Sequence, residues 1–301
     1  MKTSSVSLLR RCPLALVALS ALGLSARAED WARFRGPNGT GVSDAKNLPA
    51  AIDDASTAWK AEIGRGWSSP VIFKDKLFVT AETGAGKRAV LCLNAASGKE
   101  LWRKEVTFSE HRQHKFNSFA SSTPFVDDQR VYVNWTSGNS VEALALDHTG
   151  KEIWHKSELA NYVHEHGSGC SPVVADGVMI VRAEFSLEKA GQSFATPEQK
   201  DWKSAIIGLD AATGAQKWKI EVPNTLNPYS TPIVREVKGA HEFILADSSS
   251  GFMRIDAKTG KMNWQHNPGY KQRSVGSIVM KDDVIFAALG SGDGGKESAL
   301  L

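Results

Sequence analysis

The chain has 301 residues, 42% hydrophobic, 23% charged and 8% aromatic, with 26 Gly and 11 Pro. That composition excludes a disordered chain, a collagen and a coiled coil, and three Cys are too few for a disulfide scaffold. The formal charge of +3 is concentrated at the start of the chain.

Residues 1–28 read as a secretory leader. Lys2, Arg10 and Arg11 precede an apolar run from Cys12 to Leu24, and Ala26-Arg27-Ala28 supplies a small-x-small cleavage site. At 13 residues the run is too short to span a bilayer. Removing the leader's four basic residues leaves 32 Lys and Arg against 33 Asp and Glu, a net charge of −1. Binding to nucleic acid or an anionic membrane then has no electrostatic motive. The expected location is periplasmic or extracellular, with no membrane span. Cys92 and Cys170 remain, without metal-ligand spacing around them.

Residues 29–56 form an N-terminal extension that opens Trp31-Ala-Arg-Phe34-Arg35-Gly36-Pro37-Asn-Gly39-Thr-Gly41. From residue 57 onward the chain repeats itself. Trp59 lies in a closing strand, 57–64. Blade 1 (67–107) runs Ser68-Ser-Pro70 to Asn94-Ala-Ala-Ser-Gly98 and Trp102. Blade 2 (118–159) runs Ser122-Thr-Pro124 to Asp147-His-Thr-Gly150 and Trp154. Blade 3 (168–223) runs Ser171-Pro172 to Asp210-Ala-Ala-Thr-Gly214 and Trp218. Blade 4 (228–267) runs Ser230-Thr-Pro232 to Asp256-Ala-Lys-Thr-Gly260 and Trp264. The Pro-to-Trp spacings are 32, 30, 46 and 32, so only blade 3 carries an insertion. A partial blade 5 (274–301) starts at Gly276-Ser-Ile-Val and stops at Leu301 before its own turn and Trp, which reads as truncation.

Each unit consists of short Val-, Ile-, Leu- and Phe-rich runs bounded by turns, which predicts strands. In Asp-x-x-Thr-Gly the Asp or Asn accepts nearby amides and the Gly closes a hairpin at positive φ. Four strands per repeat predict a propeller blade. A blade cannot bury both its faces alone. A Trp at one fixed position would bury about 150–250 Å² against the next blade, roughly 4–6 kcal/mol at most. Trp59, Trp102, Trp154, Trp218 and Trp264 are therefore expected to dock blade on blade.

The motif small-x-Asp-x-x-Thr-Gly-x-x-x-Trp resembles the tryptophan-docking repeat of PQQ-like β-propellers. That group includes quinoprotein alcohol dehydrogenases and BamB-type outer-membrane assembly factors, and the opening segment resembles exported PQQ-like repeat proteins. The likeness covers residues 57–301, about 80% of the chain. It implies an all-β propeller of four-stranded blades, seven or eight if complete. Blade 2 departs from the motif by a turn one residue shorter. Blade 4 departs by Arg254, which stands where the family prefers a small residue.

The dehydrogenases of the group add an adjacent Cys-Cys pair, a Ca²⁺ site and an Asp base. Here Cys92 and Cys170 are not adjacent, no oxygen-ligand cluster with suitable spacing is evident, and no Cys-x-x-Cys-His haem motif occurs. His111, His114, His164 and His166 precede inner strands, where a shared metal is conceivable, but loop histidines bonded locally are the simpler expectation. No metal is therefore expected. Asn117, His166 and Arg273 are the candidates for a polar site lining the central channel. The sequence is read as an exported, non-catalytic binding or scaffolding module without a cofactor, taking a protein partner or a small ligand on its face. The alternative reading is a PQQ- and calcium-dependent dehydrogenase of alcohols or sugars.

Overall fold

Short apolar runs separated by Asx and Gly turns satisfy their backbone by antiparallel pairing with neighbours in sequence. The computed structural model describes residues 30–46, 48–189, 192–269, 273–290 and 298–300. Residues 1–28, where the sequence predicts a leader, residues 291–297 and Leu301 lie outside these residues.

Four four-stranded antiparallel sheets follow one another along the chain. Blade 1 holds β1 (Val71–Phe73), β2 (Lys76–Gly84), β3 (Lys87–Asn94) and β4 (Glu100–Thr107). Blade 2 holds β5 (Phe125–Val126), β6 (Arg130–Ser137), β7 (Ser140–Asp147) and β8 (Glu152–Asn161). Blade 3 holds β9 (Val173–Ala175) and β10 (Val178–Ala183), then a small hairpin of β11 (Glu188–Lys189) and β12 (Gln192–Ser193), then β13 (Ser204–Asp210) and β14 (Gln216–Val222). Blade 4 holds β15 (Ile233–Val237), β16 (Ala240–Asp247), β17 (Gly251–Asp256) and β18 (Met262–His266). Two further hairpins pair β19 (Val279–Lys281) with β20 (Val284–Phe286), and β21 (Ala288–Gly290) with β22 (Ser298–Leu300). The chain is an all-β propeller of four-stranded, Trp-docking repeats. Among the described residues no helix is long and apolar enough to cross a membrane.

The blades are joined at two radii. On the outside, the indole Nε1 of four repeat tryptophans donates 3.0 Å to a carbonyl in the next blade's turn: Trp59 to Ala95, Trp102 to His148, Trp154 to Ala211 and Trp218 to Ala257. The ring covers the turn glycine. A Cβ added to Gly150 or Gly214 would lie 2.7 Å from Trp102 or Trp154, and both glycines sit at positive φ, 86° and 71°. The turn is built as its side chains require. Asp147, Asp210 and Asp256 Oδ1 accept the amides of Thr149, Thr213 and Thr259 at 2.8, 3.0 and 2.8 Å. Their carboxyls titrate below the usual range, chiefly because of the Thr hydroxyl bond.

A register shift recurs at one place in every blade, just before the Trp: at Cys92/Leu93, Ala145/Leu146, Gly208/Leu209 and Arg254/Ile255. This bulge skips one outer-strand residue. Leu101 and Ile153 are skipped and exposed, so the following Trp faces the neighbouring blade.

On the inside, a second relay runs through the residue before each proline. Ser69 N donates to Thr123 Oγ1 at 2.9 Å, Thr123 N to Ser171 Oγ at 3.0 Å, and Ser171 N to Thr231 Oγ1 at 3.3 Å. Each innermost strand is a sheet edge, so the Pro that follows costs no ladder bond.

Trp264 is 40% exposed, while Trp154 and Trp218 are 6% and 8% exposed. Its partner across the sheet is Arg254, where the other blades have Cys92, Ala145 or Gly208. The Arg254 guanidinium lies 2.8 Å from Glu242 and the Trp264 indole stacks on His266; the described residues hold no turn of a following blade to receive that ring. The part of the blade 3 insertion from Ser193 to Trp202 packs on the core. Phe194, Ala195 and Trp202 lie on the core of blades 2 and 3. Its single 3-10 turn, Pro197–Gln199, is held by a reciprocal capping box between Thr196 and Gln199.

The N-terminal segment runs along the inner strands. The Trp31 carbonyl accepts Ile72 N at 2.9 Å and the Ala32 carbonyl accepts Val126 N at 2.8 Å. The buried Arg33 guanidinium donates to Pro232 O, and Asn38 pairs with both backbone groups of Val234 at 2.7 and 2.8 Å. One short stretch thus ties blades 1, 2 and 4 together.

Replacing Trp218 by Ala should lower stability by about 3–5 kcal/mol, and replacing Trp264 by less than half of that. Urea unfolding of both variants measures the difference; equal losses would contradict the docking role.

Candidate functional site

The inner strands β5, β9, β15 and β19 are each entered by an inter-blade loop, and these loops bring polar side chains together. His166, only 6% exposed, is their meeting point. Its carbonyl accepts Nδ2 of Asn117, and its Nε2 lies 3.4 Å from Nη1 of Arg273. That contact requires Nε2 to be the acceptor of a neutral ring. The His166 ring centre lies 5.3 Å from His114, 4.7 Å from His164 and 5.9 Å from Tyr229. The Arg273 guanidinium lies 5.8 Å from the Tyr229 ring centre, and its Nε is buried without a hydrogen-bond partner.

The three candidate residues therefore meet, in different roles. Asn117 is committed to the scaffold. Its Oδ1 accepts Ser118 N at 2.9 Å and Ser121 Oγ at 2.7 Å, and Arg65 Nη2 donates 2.6 Å to its carbonyl. Arg273 is half-buried and keeps donor capacity in hand.

Several contributors were not singled out from the sequence. Tyr229 lies against Gly169, where an added Cβ would come 2.3 Å from its ring. The Tyr162 hydroxyl lies 2.8 Å from both Gly167 O and Asn227 Oδ1. Burial first, then Tyr229, pushes its pKa well above the usual phenol range. Tyr162 is a neutral strut at any physiological pH.

Two buried arginines brace the loops from below. Arg88 pairs with Glu142 and donates to Thr136 O at 2.8 Å and Phe119 O at 3.2 Å. Arg182 pairs with Glu184, lies 3.9 Å from Asp247 and donates to Ser230 O at 3.0 Å. Burial raises the Glu184 pKa to about 7, against the pull of Arg182. Loss of one partner would leave a buried charge uncompensated. These arginines carried a readable signal, because Arg182 and Glu184 interrupt an apolar strand run with charge.

The two cysteines among the described residues, Cys92 and Cys170, are inert. Both are free and buried, and burial pushes their thiols up to about 12 for Cys92 and about 11 for Cys170. Among the described residues, no group of three or more His, Cys, Asp or Glu is arranged to hold a metal ion.

A family model described as outer membrane protein assembly factor BamB matches residues 46–195 and 200–296. A polyvinylalcohol dehydrogenase from Pseudomonas sp is 23% identical over 264 residues, covering 75% of this chain and 39% of that protein. A second, from Sphingopyxis sp. (strain 113P3), is 26% identical over 221 residues, covering 64% of this chain and 32% of that protein. The chain thus spans under half the length of these relatives. A europium-containing methanol dehydrogenase superposes with a TM-score of 0.62 at 10% identity, over 87% of this chain and 54% of its own. The quinohemoprotein alcohol dehydrogenase from Comamonas testosteroni gives 0.60 at 16% identity, over 87% and 46%. These two likenesses establish the shared fold.

The expectation of a non-catalytic scaffold without a cofactor is corrected by these matches, because the sequence relatives are dehydrogenases. It rested on missing motifs. A propeller site draws residues from many blades, so a motif's absence from a few strands carries no weight against catalysis.

His111 offers a pH test of the loop packing. Burial, then the nearby Arg88 charge, lowers its pKa to about 4. The folded state refuses a proton that the unfolded state accepts below about 6.5. Stability should therefore be full above that pH and fall as pH drops towards 4, by up to about 1.4 kcal/mol per unit. His111→Gln should flatten this acid limb in urea unfolding; an unchanged slope would contradict the assignment.

Proposed function

The chain belongs to the family described as outer membrane protein assembly factor BamB, and on that premise we propose that it serves an exported quinone-dependent dehydrogenase of hydroxylated compounds. The observation that carries this reading is the sequence relation to two polyvinylalcohol dehydrogenases, over 75% and 64% of the chain. The leader at residues 1–28 belongs to the same reading and would place the protein outside the cytoplasm.

The loop cluster supports it. PQQ is a flat polycarboxylate, and a guanidinium with an unpartnered buried Nε beside two ring planes suits such a group. Arg273 would hold a carboxylate and Tyr229 would offer a flat wall. When bound, PQQ supplies a two-electron acceptor for oxidation of an alcohol to a carbonyl. The remaining work falls to this chain's own residues. His166, neutral, directs Arg273 through Nε2 without competing for anions. Asn117 locks the loop before β5 to His166, and Gly169 lets Tyr229 close against the loop before β9. Among the described residues no group of three or more His, Cys, Asp or Glu is arranged to hold calcium.

Addition of PQQ should raise the melting temperature of the chain. Arg273→Ala should lower PQQ affinity about tenfold or more, the scale of a lost charge-assisted hydrogen bond. With secondary alcohols the loaded protein should reduce an artificial electron acceptor. No thermal shift with PQQ and no dye reduction would overturn the reading.

A further inference from the structure

We infer that a pocket between blades 2 and 3 is an accessory subsite for a neutral polyhydroxylated chain. It lies beside the central cluster, not in it. Its volume is about 200 Å³, room for roughly seven waters at about 30 Å³ each, or for a short diol segment or one sugar ring. His111, Arg112, Asn139, His164, Phe194 and Gln199 line it.

The lining selects against charge. Arg112 is the one fixed cation among these six, and Glu165 faces its Nε at 3.5 Å. The His111 ring is neutral near pH 7, because burial holds its pKa at about 4. An anion would meet an already compensated guanidinium, and a cation would meet no free carboxylate in the lining. What remains is a neutral mixture of donors, acceptors and one apolar wall. Gln199 commits Oε1 to Thr196 N at 3.0 Å, which leaves its amide hydrogens to donate. Asn139 presents an exposed carboxamide from the hairpin between β6 and β7. Phe194 supplies the apolar wall, its ring held by the Arg112 guanidinium at 4.8 Å and the tilted His164 ring at 4.5 Å. Hydroxyl groups alternating with C–H surface match that combination.

The pocket and the central cluster share a wall. The His164 ring meets Phe194 on the pocket side and His166, 4.7 Å away, on the other. A hydroxylated chain seated on Phe194 would be held next to the loops that carry Arg273. The identity of that chain as a 1,3-diol polymer rests on the dehydrogenase reading; the preference for a neutral polyol rests on the lining alone.

The test is calorimetric titration of the full chain, free of PQQ, with short oligomers of vinyl alcohol and separately with glucose. The expected result is binding of one of the two, weakened at least about fivefold by Asn139→Ala, the scale of one lost hydrogen bond, and likewise by Phe194→Leu. Asn139 is a surface residue, so its variant keeps the fold if Phe194→Leu does not. Oligomer binding identifies a polymer segment as the source of the hydroxyls and glucose binding a sugar; either supports the subsite. No binding of either ligand, binding unchanged in Asn139→Ala, or displacement of the bound polyol by millimolar acetate would overturn it. PQQ binding is measured in parallel. Its absence with polyol binding intact would sink the dehydrogenase reading and leave the subsite standing.

Discussion

Everything in this fold depends on an indole docking on a glycine turn one blade further along. The contact serves two ends at once. The ring removes apolar surface from water, and Nε1 satisfies a turn carbonyl at 3.0 Å that would otherwise face the ring. A turn that receives a ring has no room for a Cβ, which explains why glycine and tryptophan recur together. The bulge before each Trp completes the device, because without it the indole would point to the other face of the sheet. Trp264 is left 40% exposed, since the described residues hold no turn of a following blade for its ring to cover.

Stacked blades give the loops a rigid base, and the inner hydroxyl relay fixes the start of each inner strand relative to the next. Arg88 and Arg182 then reach up and hold loop carbonyls at Phe119 and Ser230. Buried ion pairs add little net stability, but here they fix the position of loops that have few apolar contacts of their own. The neutral His166, the strut Tyr162 and the constrained Tyr229 follow from that base. Arg273 differs from them in keeping donor capacity unspent, the property expected of a residue that meets a ligand.

The N-terminal segment completes the inner surface. Its backbone pairs with β1 and β5, and its side chains reach blade 4, so it bridges blades that are not neighbours in sequence. Its glycine- and arginine-rich opening was legible as a distinct segment from residue 31. Its destination was not, because the contacts it makes span up to 199 positions in the chain.

The repeat, the turn chemistry and the docking tryptophans were determined by the sequence itself, because each is a local pattern: a carboxylate accepting amides two residues on, a glycine at positive φ, a ring at fixed spacing. Asn117, His166 and Arg273 could be picked out as polar residues ahead of inner strands, but their division of labour could not. Asn117 is used up within the scaffold and Arg273 is not. Tyr229, the Arg88 and Arg182 braces and the pocket over Phe194 were decided only by tertiary structure. Each depends on loops from different blades arriving at one place, and the distances between such loops are set by the stacking of whole sheets, not by spacing along the chain.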